Sequence, residues 1–324
     1  MPVRSYPAGN FQMTLDGVAC GFLKSVDGGA AVAEVVSEAG PTYFAKKHLG
    51  GIGYVPFVVQ FGLAMSADLY NWINVSWSGN YLRKNGAVVA ADYNFVAVSQ
   101  REFFNALIAE TTVPRLDASS KEPAYLTLKF AAEYSRIGKA SGKVTGAADV
   151  AQKRWLPANF RVTIDGLDCT RISAVDSFTV KQSAATDDIG DARDYRREPA
   201  RLEFPNLSIT LLESSATTWF NWFDDFVIKG NNDDSKEKKG SIAILSPNRT
   251  DELLRIDLFN LGIFRIGTDK AEASSDRPAT VTAHLYCERM ELHAGGAVPR
   301  AVVARKMAGV RKATAAKARG KRRR

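Results

Sequence analysis

The sequence repeats itself, and the repeat limits the possible folds more than any other feature. Gly9-Asn10-Phe11-Gln12-Met13-Thr14-Leu15-Asp16-Gly17-Val18-Ala19-Cys20 lies over Ala158-Asn159-Phe160-Arg161-Val162-Thr163-Ile164-Asp165-Gly166-Leu167-Asp168-Cys169 at an offset of 149. Asn, Phe, Thr, Asp, Gly and Cys coincide, and the same offset carries Val26-Asp27 onto Val175-Asp176. Tyr70-Asn71-Trp72 then meets Phe220-Asn221-Trp222 at 150. Phe104-Asn105, Ile108, Pro123-Ala124, Thr127 and Glu133 meet Phe259-Asn260, Ile263, Pro278-Ala279, Thr282 and Glu288 at 155. The polar stretch Asn231 to Lys239 accounts for the drift as a longer loop. Matches in one order from Asn10 to Glu133 predict two copies of one domain, which 324 residues can accommodate.

Each copy reads as mainly β. Phe11, Met13 and Leu15 alternate with Gln12, Thr14 and Asp16, and Phe160, Val162 and Ile164 alternate with Arg161, Thr163 and Asp165. A period of two marks a strand with one buried face. Asp16-Gly17 and Asp165-Gly166 follow, pairs that tolerate positive φ and so predict hairpin turns. Later strands are expected over Ala87–Ala91, Phe95–Phe104 and Ala124–Phe130, and over Ser241–Leu245, Leu254–Phe259 and Thr280–Tyr286.

One helix is expected in the middle of each copy. Leu69, Trp72, Ile73 and Trp77 form an apolar stripe after a capping Ser66. Trp219, Trp222, Phe223, Phe226 and Val227 form the second stripe, after a cap at Ser215. Such aromatic stripes are core rather than a ligand box, closing a barrel mouth or covering a sheet. The segment from Gly138 to Gly146 reads as flexible linker, and Ser183 to Pro199 as a charged loop. The expected architecture is two tandem antiparallel β-barrels or sandwiches, each with one helix. The divisions are a first β domain over 1–137, a linker over 138–156, a second β domain over 157–293 and a basic flexible tail over 294–324.

Charge is divided unevenly between body and tail. From Arg300 onward there are 11 Lys or Arg and no Asp or Glu; removing those 11 from the chain's 43 basic residues leaves 32 against 35 acidic. A near-neutral body suits dense self-association. Contact with nucleic acid or an acidic protein surface therefore rests on Arg305, Lys306, Arg311, Lys312, Lys317, Arg319, Lys321, Arg322, Arg323 and Arg324. The tail lacks aromatics for base stacking, and a disordered solubilising arm is its plainer reading.

No catalytic, cofactor or metal site is expected. Cys20, Cys169 and Cys287 are too scattered for a zinc site or a disulfide framework, and His48, His284 and His293 have no metal-like spacing. Asp224-Asp225 and Asp233-Asp234 read as solvated faces rather than acid–base pairs. No phosphate-binding loop, dinucleotide fingerprint, nucleophile elbow or zinc-protease motif occurs. No run approaches the roughly 18 apolar residues of a membrane span, and no signal peptide is visible, so synthesis in a cytosol is expected, with no membrane or small-molecule partner.

In the second copy, Asn159-Phe160-Arg161-Val162-Thr163-Ile164-Asp165-Gly166-Leu167 followed by Arg171 to Asp176 resembles the opening of the tail tube proteins of contractile phages and phage-like injection systems. The resemblance continues through Phe204 to Thr210, the Trp-bearing segment Trp219 to Phe226, Gly240 to Ile244 and Ile256 to Asn260, and reaches the first copy more weakly. It implies a small β-barrel with one helix, assembled six to a ring, with rings stacked into a hollow tube. Sheath, hub or spike components are the implied neighbours, and a phage tail or injection particle the implied location. The family has one such domain per chain, so three of these two-domain chains could supply six barrels, and six chains are the alternative. Open sheet edges become an asset when a neighbouring copy covers them. The stretches Ser25 to Val36 and Ser177 to Thr186 read as long hairpins that could reach an adjacent subunit.

Overall fold

The computed structural model describes residues 9–40, 43–146, 155–187, 196–269 and 278–295. In the first half the strands are β1 (Asn10–Leu15), β2 (Val18–Asp27), β3 (Ala31–Glu38), β4 (Lys46–Tyr54) and β5 (Phe57–Phe61). Helix α1 (Ala67–Trp77) follows, then β6 (Lys84–Ala91), β7 (Ala97–Val113), β8 (Leu116–Asp117), β9 (Leu126–Ala131) and β10 (Tyr134–Lys139). Six strands close on themselves, in the order β1-β2-β5-β9-β7-β6 and back to β1, all antiparallel. Closure leaves no open edge within this barrel. Strands β3 and β4 form a separate two-stranded hairpin beside it.

Local chemistry explains these elements. Met13 and Leu15 are buried on one face of β1, and Asp16 (φ 48°) with Gly17 (φ 82°) turns the chain into β2 as the Asp-Gly pair predicts. The side-chain oxygen of Ser66 accepts from the Leu69 amide and caps α1. Asn105 takes φ 51° in the middle of β7, a bulge that bends this long strand around the barrel. Gly86 faces Leu15 across the β1–β6 pair, where a Cβ would lie 2.1 Å from the Thr14 carbonyl oxygen.

The second half repeats the order with one opening. Its strands are β11 (Phe160–Ile164), β12 (Ile172–Val175), β13 (Phe178–Asp187), β14 (Arg196–Glu203) and β15 (Leu207–Leu212). Helix α2 (Thr217–Phe223) precedes β16 (Lys238–Leu245), β17 (Glu252–Thr268) and β18 (Thr280–Ala294). The ladder runs β11-β16-β17-β18-β15-β12, matching β1-β6-β7-β9-β5-β2 strand for strand. Asn260 (φ 56°) in β17 repeats the Asn105 bulge, and Gly240 facing Ile164 repeats the close approach at Gly86. Where β1 pairs β2, however, β11 and β12 do not pair. The first half's β8 takes that place: Leu116 and Asp117 pair with Val175 and Ala174, and the Asp117 amide donates to the Pro157 carbonyl at 3.2 Å. Asp165-Gly166 therefore turns the chain without making a hairpin, because the edge a hairpin would use is already filled.

Several other expectations change. The stretch expected as linker begins as strand: β10 pairs with β7, Val144 and Trp155 are buried, and only residues 147–154 of it lie outside the described residues. Much of the expected charged loop is hairpin, since β13 and β14 pair across residues 188–195, themselves outside the described set. The Ser25 to Val36 stretch is not a hairpin, because β2 pairs with β1 and β5 while β3 pairs with β4. Ser215 does not cap α2; it lies in a 3-10 turn over Glu213–Ser215, and Ala216 precedes the helix without a side-chain cap. A π-helical turn over Asp224–Ile228 continues α2, and its wider winding rotates Val227 out of the apolar stripe to an exposed position. One continuous buried core runs through both halves, from Met13 through Trp72, Leu116, Phe178 and Trp219 to Leu292.

Candidate subunit interface

The two halves meet edge to edge. Along β7 and β13, Val113, Thr112, Thr111 and Glu110 face Phe178, Thr179, Val180 and Lys181 in antiparallel register, so the first barrel's sheet passes into the second half without a break. Phe178 and Val180 are buried here. The hydroxyls of Thr112 and Thr179 lie 2.8 Å apart, and the Ser177 hydroxyl donates to the Val113 carbonyl at 2.9 Å. Arg115 reaches Asp176 at 2.6 Å beside the β8–β12 pair. This exposed pair contributes at most about 1 kcal/mol, so register comes from the strand ladder and the buried side chains.

The β13–β14 hairpin folds back over the first half. The Ser76 hydroxyl in α1 donates to the Gln182 side-chain oxygen, and both residues are buried. Satisfying these two polar groups against each other matters, because either one left alone would carry a desolvation penalty of about 1–3 kcal/mol. Trp77, only 2% exposed, meets Phe204 edge to face at 6.4 Å. The Tyr81 hydroxyl donates to the Ala200 carbonyl at 2.9 Å, and Arg83 donates to the Arg197 carbonyl at 2.7 Å while pairing with Glu198 at 3.0 Å. Glu133 accepts from the Arg197 amide at 3.3 Å. In the other direction the Leu292 amide of β18 donates to Asn74 of α1 at 3.3 Å. The seam is therefore directional: the first half offers the end of β7, the end of α1 and the Tyr81–Arg83 stretch, and the second half offers a hairpin and the end of β18.

The helix residues singled out in the sequence sit as follows. Leu69, Trp72, Ile73, Trp77, Trp219, Trp222 and Phe226 are buried, and Phe223 packs partly buried against the same core. The indoles of Trp72 and Trp219 donate to the carbonyls of Leu82 and Asp168 at 2.8 and 2.9 Å, tying each helix to its own barrel. The basic candidates Arg305, Lys306, Arg311, Lys312, Lys317, Arg319, Lys321, Arg322, Arg323 and Arg324 lie outside the described residues.

The polar groups form no reactive constellation among the described residues. No cluster of His, Cys, Asp or Glu there is arranged to hold a metal. Asp224 pairs with Lys229 at 2.6 Å, Asp225 accepts from Asn231 at 2.8 Å, and Asp233 accepts from the Ser235 amide at 2.9 Å. Hydrogen bonds from Ser235 hold the Asp233 carboxyl below its usual range. Burial pushes the Cys20 and Cys287 thiols up to about 11, which suppresses their nucleophilic thiolate form. A groove of about 420 Å³ beside β2, lined by Phe22, Tyr125 and Trp155 among others, has Lys24 as the one charged side chain among its described lining residues.

Residues 7–136 match the family of the T4-like virus tail tube protein gp19. The matched family is one of structural tube proteins, and a structural, tail-associated role is what it supports. The match falls on the first half, which holds the closed barrel, whereas the sequence resemblance was drawn chiefly from the second. Among solved structures, the chain is similar to the anti-feeding prophage tube-terminating cap, with 15% identity, a TM-score of 0.38, and 45% of this chain and 94% of that one covered. It is also similar to a chain of the sheath–tube complex of the extracellular contractile injection system PVC, with 17% identity, a TM-score of 0.36 and 42% and 88% covered. For a chain of that system's sheath/tube terminator the values are 16%, 0.35, and 42% and 93%. No curated protein matches the chain.

Proposed function

We propose that this chain is a duplicated, structural ring subunit of a contractile tail or related injection machine, in which three chains supply six barrels. The observation that carries the reading is the β7–β13 seam, where one barrel's sheet runs directly into the next half of the same chain. Two halves with the same strand order, joined by a directional contact, are the elements of a head-to-tail ring; repeated from chain to chain, the contact closes a ring of three chains when six such rotations complete one turn without net rise. A ring with six barrels and threefold chain symmetry fits the place where a sixfold tube meets a threefold hub or spike, as well as a tube ring proper. Sheath, hub and spike components would then be its neighbours, and the assembled particle its location. Native mass spectrometry of the full chain under assembly-promoting conditions tests this. Complexes of three 35.3 kDa chains are expected, and monomers under every condition would overturn it.

A second reading concerns the tail. Eleven basic residues and no acidic ones from Arg300 onward suit contact with nucleic acid through phosphate neutralisation. DNA affinity measured against salt, for the full chain and for a deletion of Ala301–Arg324, decides it. Binding that weakens with salt and disappears with the deletion supports this role; its absence in the full chain refutes it.

A further inference from the structure

The seam uses only one side of each half, and the corresponding sides on the outside of the chain are left open among the described residues. The inference drawn from them rests on the ring reading above and specifies its joint. By strand order, β3 and β4 are the first half's counterparts of β13 and β14, and β17 is the second half's counterpart of β7. The pairings agree in detail: Val32 faces Gly53 in the free hairpin as Lys181 faces Glu203 in the docked one. The end of β17, Arg265 to Thr268, corresponds to Glu110 to Val113. It pairs with β18 on one edge, and no described strand pairs its other edge. Strand β3 pairs only with β4 among the described residues.

Both open surfaces carry exposed apolar side chains, and two of them, Ile137 and Val227, stand at positions whose counterparts in the seam are buried. On the hairpin side these are Val32, Val35 and Leu49, the last 69% exposed, joined by Ile137 of β10 at 76%. On the other side are Val227, Ile228 at 68% and Phe264 at 45%, bordering a shallow groove of about 340 Å³ lined by Phe226, Ile263 and Tyr286. Val227 stands where Trp77 stands in the seam. Ile137 stands where Leu292 meets Asn74. Charge follows the same pattern, with exposed Lys46 and Lys47 on β4 and acidic Asp224, Asp225 and Glu288 on the receiving side. Lys47 corresponds to Arg197 and Glu288 to Glu133; within the seam the Arg197 backbone amide donates to the Glu133 carboxylate.

We propose that the β3–β4 hairpin of one copy docks on the β17 edge and the end of the second helix of the next copy, reproducing the internal register. Ala30, Ala31 and Val32 then face Gly267, Ile266 and Arg265 of the neighbour, as Thr179, Val180 and Lys181 face Thr112, Thr111 and Glu110. The occupant is a second copy of this chain because only it carries the hairpin that the seam already shows docked on an equivalent surface. Burying apolar side chains from both faces, with added strand hydrogen bonds, gives the contact its affinity and register.

The test is a cysteine pair, Ala30→Cys with Gly267→Cys. This is the counterpart of the Thr112–Thr179 contact, and Gly267 has open space where a Cβ would stand. Under mild oxidation of the assembled full chain, the double variant is expected to give a covalent ladder ending at three chains. Each single variant should give no such ladder, and a mixture of the two should stop at dimers. Rings that form without this cross-link overturn the joint while leaving the ring reading standing. Failure of the wild-type chain to form rings overturns both. Independently, Val35→Glu and Ile228→Glu should each abolish assembly with an unchanged monomer melting temperature, because both side chains lie outside the core. Assembly that survives both substitutions contradicts the proposal.

Discussion

Replacing Trp77 by alanine probes the seam inside the chain. The side chain is nearly fully buried, meets Phe204 of the second half edge to face, and belongs to the core shared by both halves. Its indole nitrogen has no hydrogen-bond partner among the described residues, so the loss is packing and the cavity left behind. Buried Trp→Ala substitutions cost about 3–5 kcal/mol, and with no hydrogen bond broken the lower part of that range, about 3–4 kcal/mol, applies. For a chain of this size roughly 2 °C is lost per kcal/mol, so calorimetry of the unassembled protein should show a fall of about 6–8 °C. Because the core is continuous, a single transition should move as a whole. Val227→Ala, the counterpart on the open surface, should cost under about 0.5 kcal/mol. A Trp77→Ala cost below about 1 kcal/mol would refute the reasoning, as would two separate transitions of which only one moves.

Gly86→Ala and Gly240→Ala should each destabilise by about 1–3 kcal/mol in denaturant titrations, because the new Cβ meets a backbone carbonyl at 2.1 and 2.6 Å; neutral effects at both would contradict the close approach. Ser66→Ala should cost about 1 kcal/mol through loss of the α1 cap, whereas Ser215→Ala, which caps nothing, should be close to neutral in the same titration. At pH 8, a thiol reagent should leave Cys20 and Cys287 largely unmodified in the native chain and label all three cysteines in denaturant. Their stabilising contribution is complete below the ordinary thiol value of 9.0 and is lost as pH rises towards about 11, since the unfolded thiols ionise first. Stability should therefore decline across pH 9–11, and Cys20→Ser with Cys287→Ser should remove part of that slope.

Much of each half could be read from local pattern. Period-two alternation located β1 and β11, the Asp16-Gly17 pair located the first hairpin, and the aromatic stripes located both helices. These signals are local, set by neighbours in the chain. What escaped depends on distant partners. Nothing in the alternation of Tyr134–Lys139 says that it pairs with β7, or that β8 fills the gap between β11 and β12. Strands β7 and β17 run further than their local patterns indicate because each continues through a bulge at an asparagine with positive φ. The π-helical turn displaced Val227 without a sequence mark. A signal for the seam did exist in the differences between the two halves: Phe178 and Val180 stand where the first half has Gly29 and Ala31, and Trp77 stands against Val227. In each pair the larger apolar residue belongs to the surface covered within the chain.

The rotational symmetry of the assembled ring, read from cryo-electron microscopy averages at a resolution that separates barrels from chains, tests the central claim most directly. Six barrels related in pairs, with threefold symmetry between chains and alternating internal and external joints of the same register, is the expected result. A ring of six chains with one barrel of each in the wall, or joints built from unrelated surfaces, would contradict it.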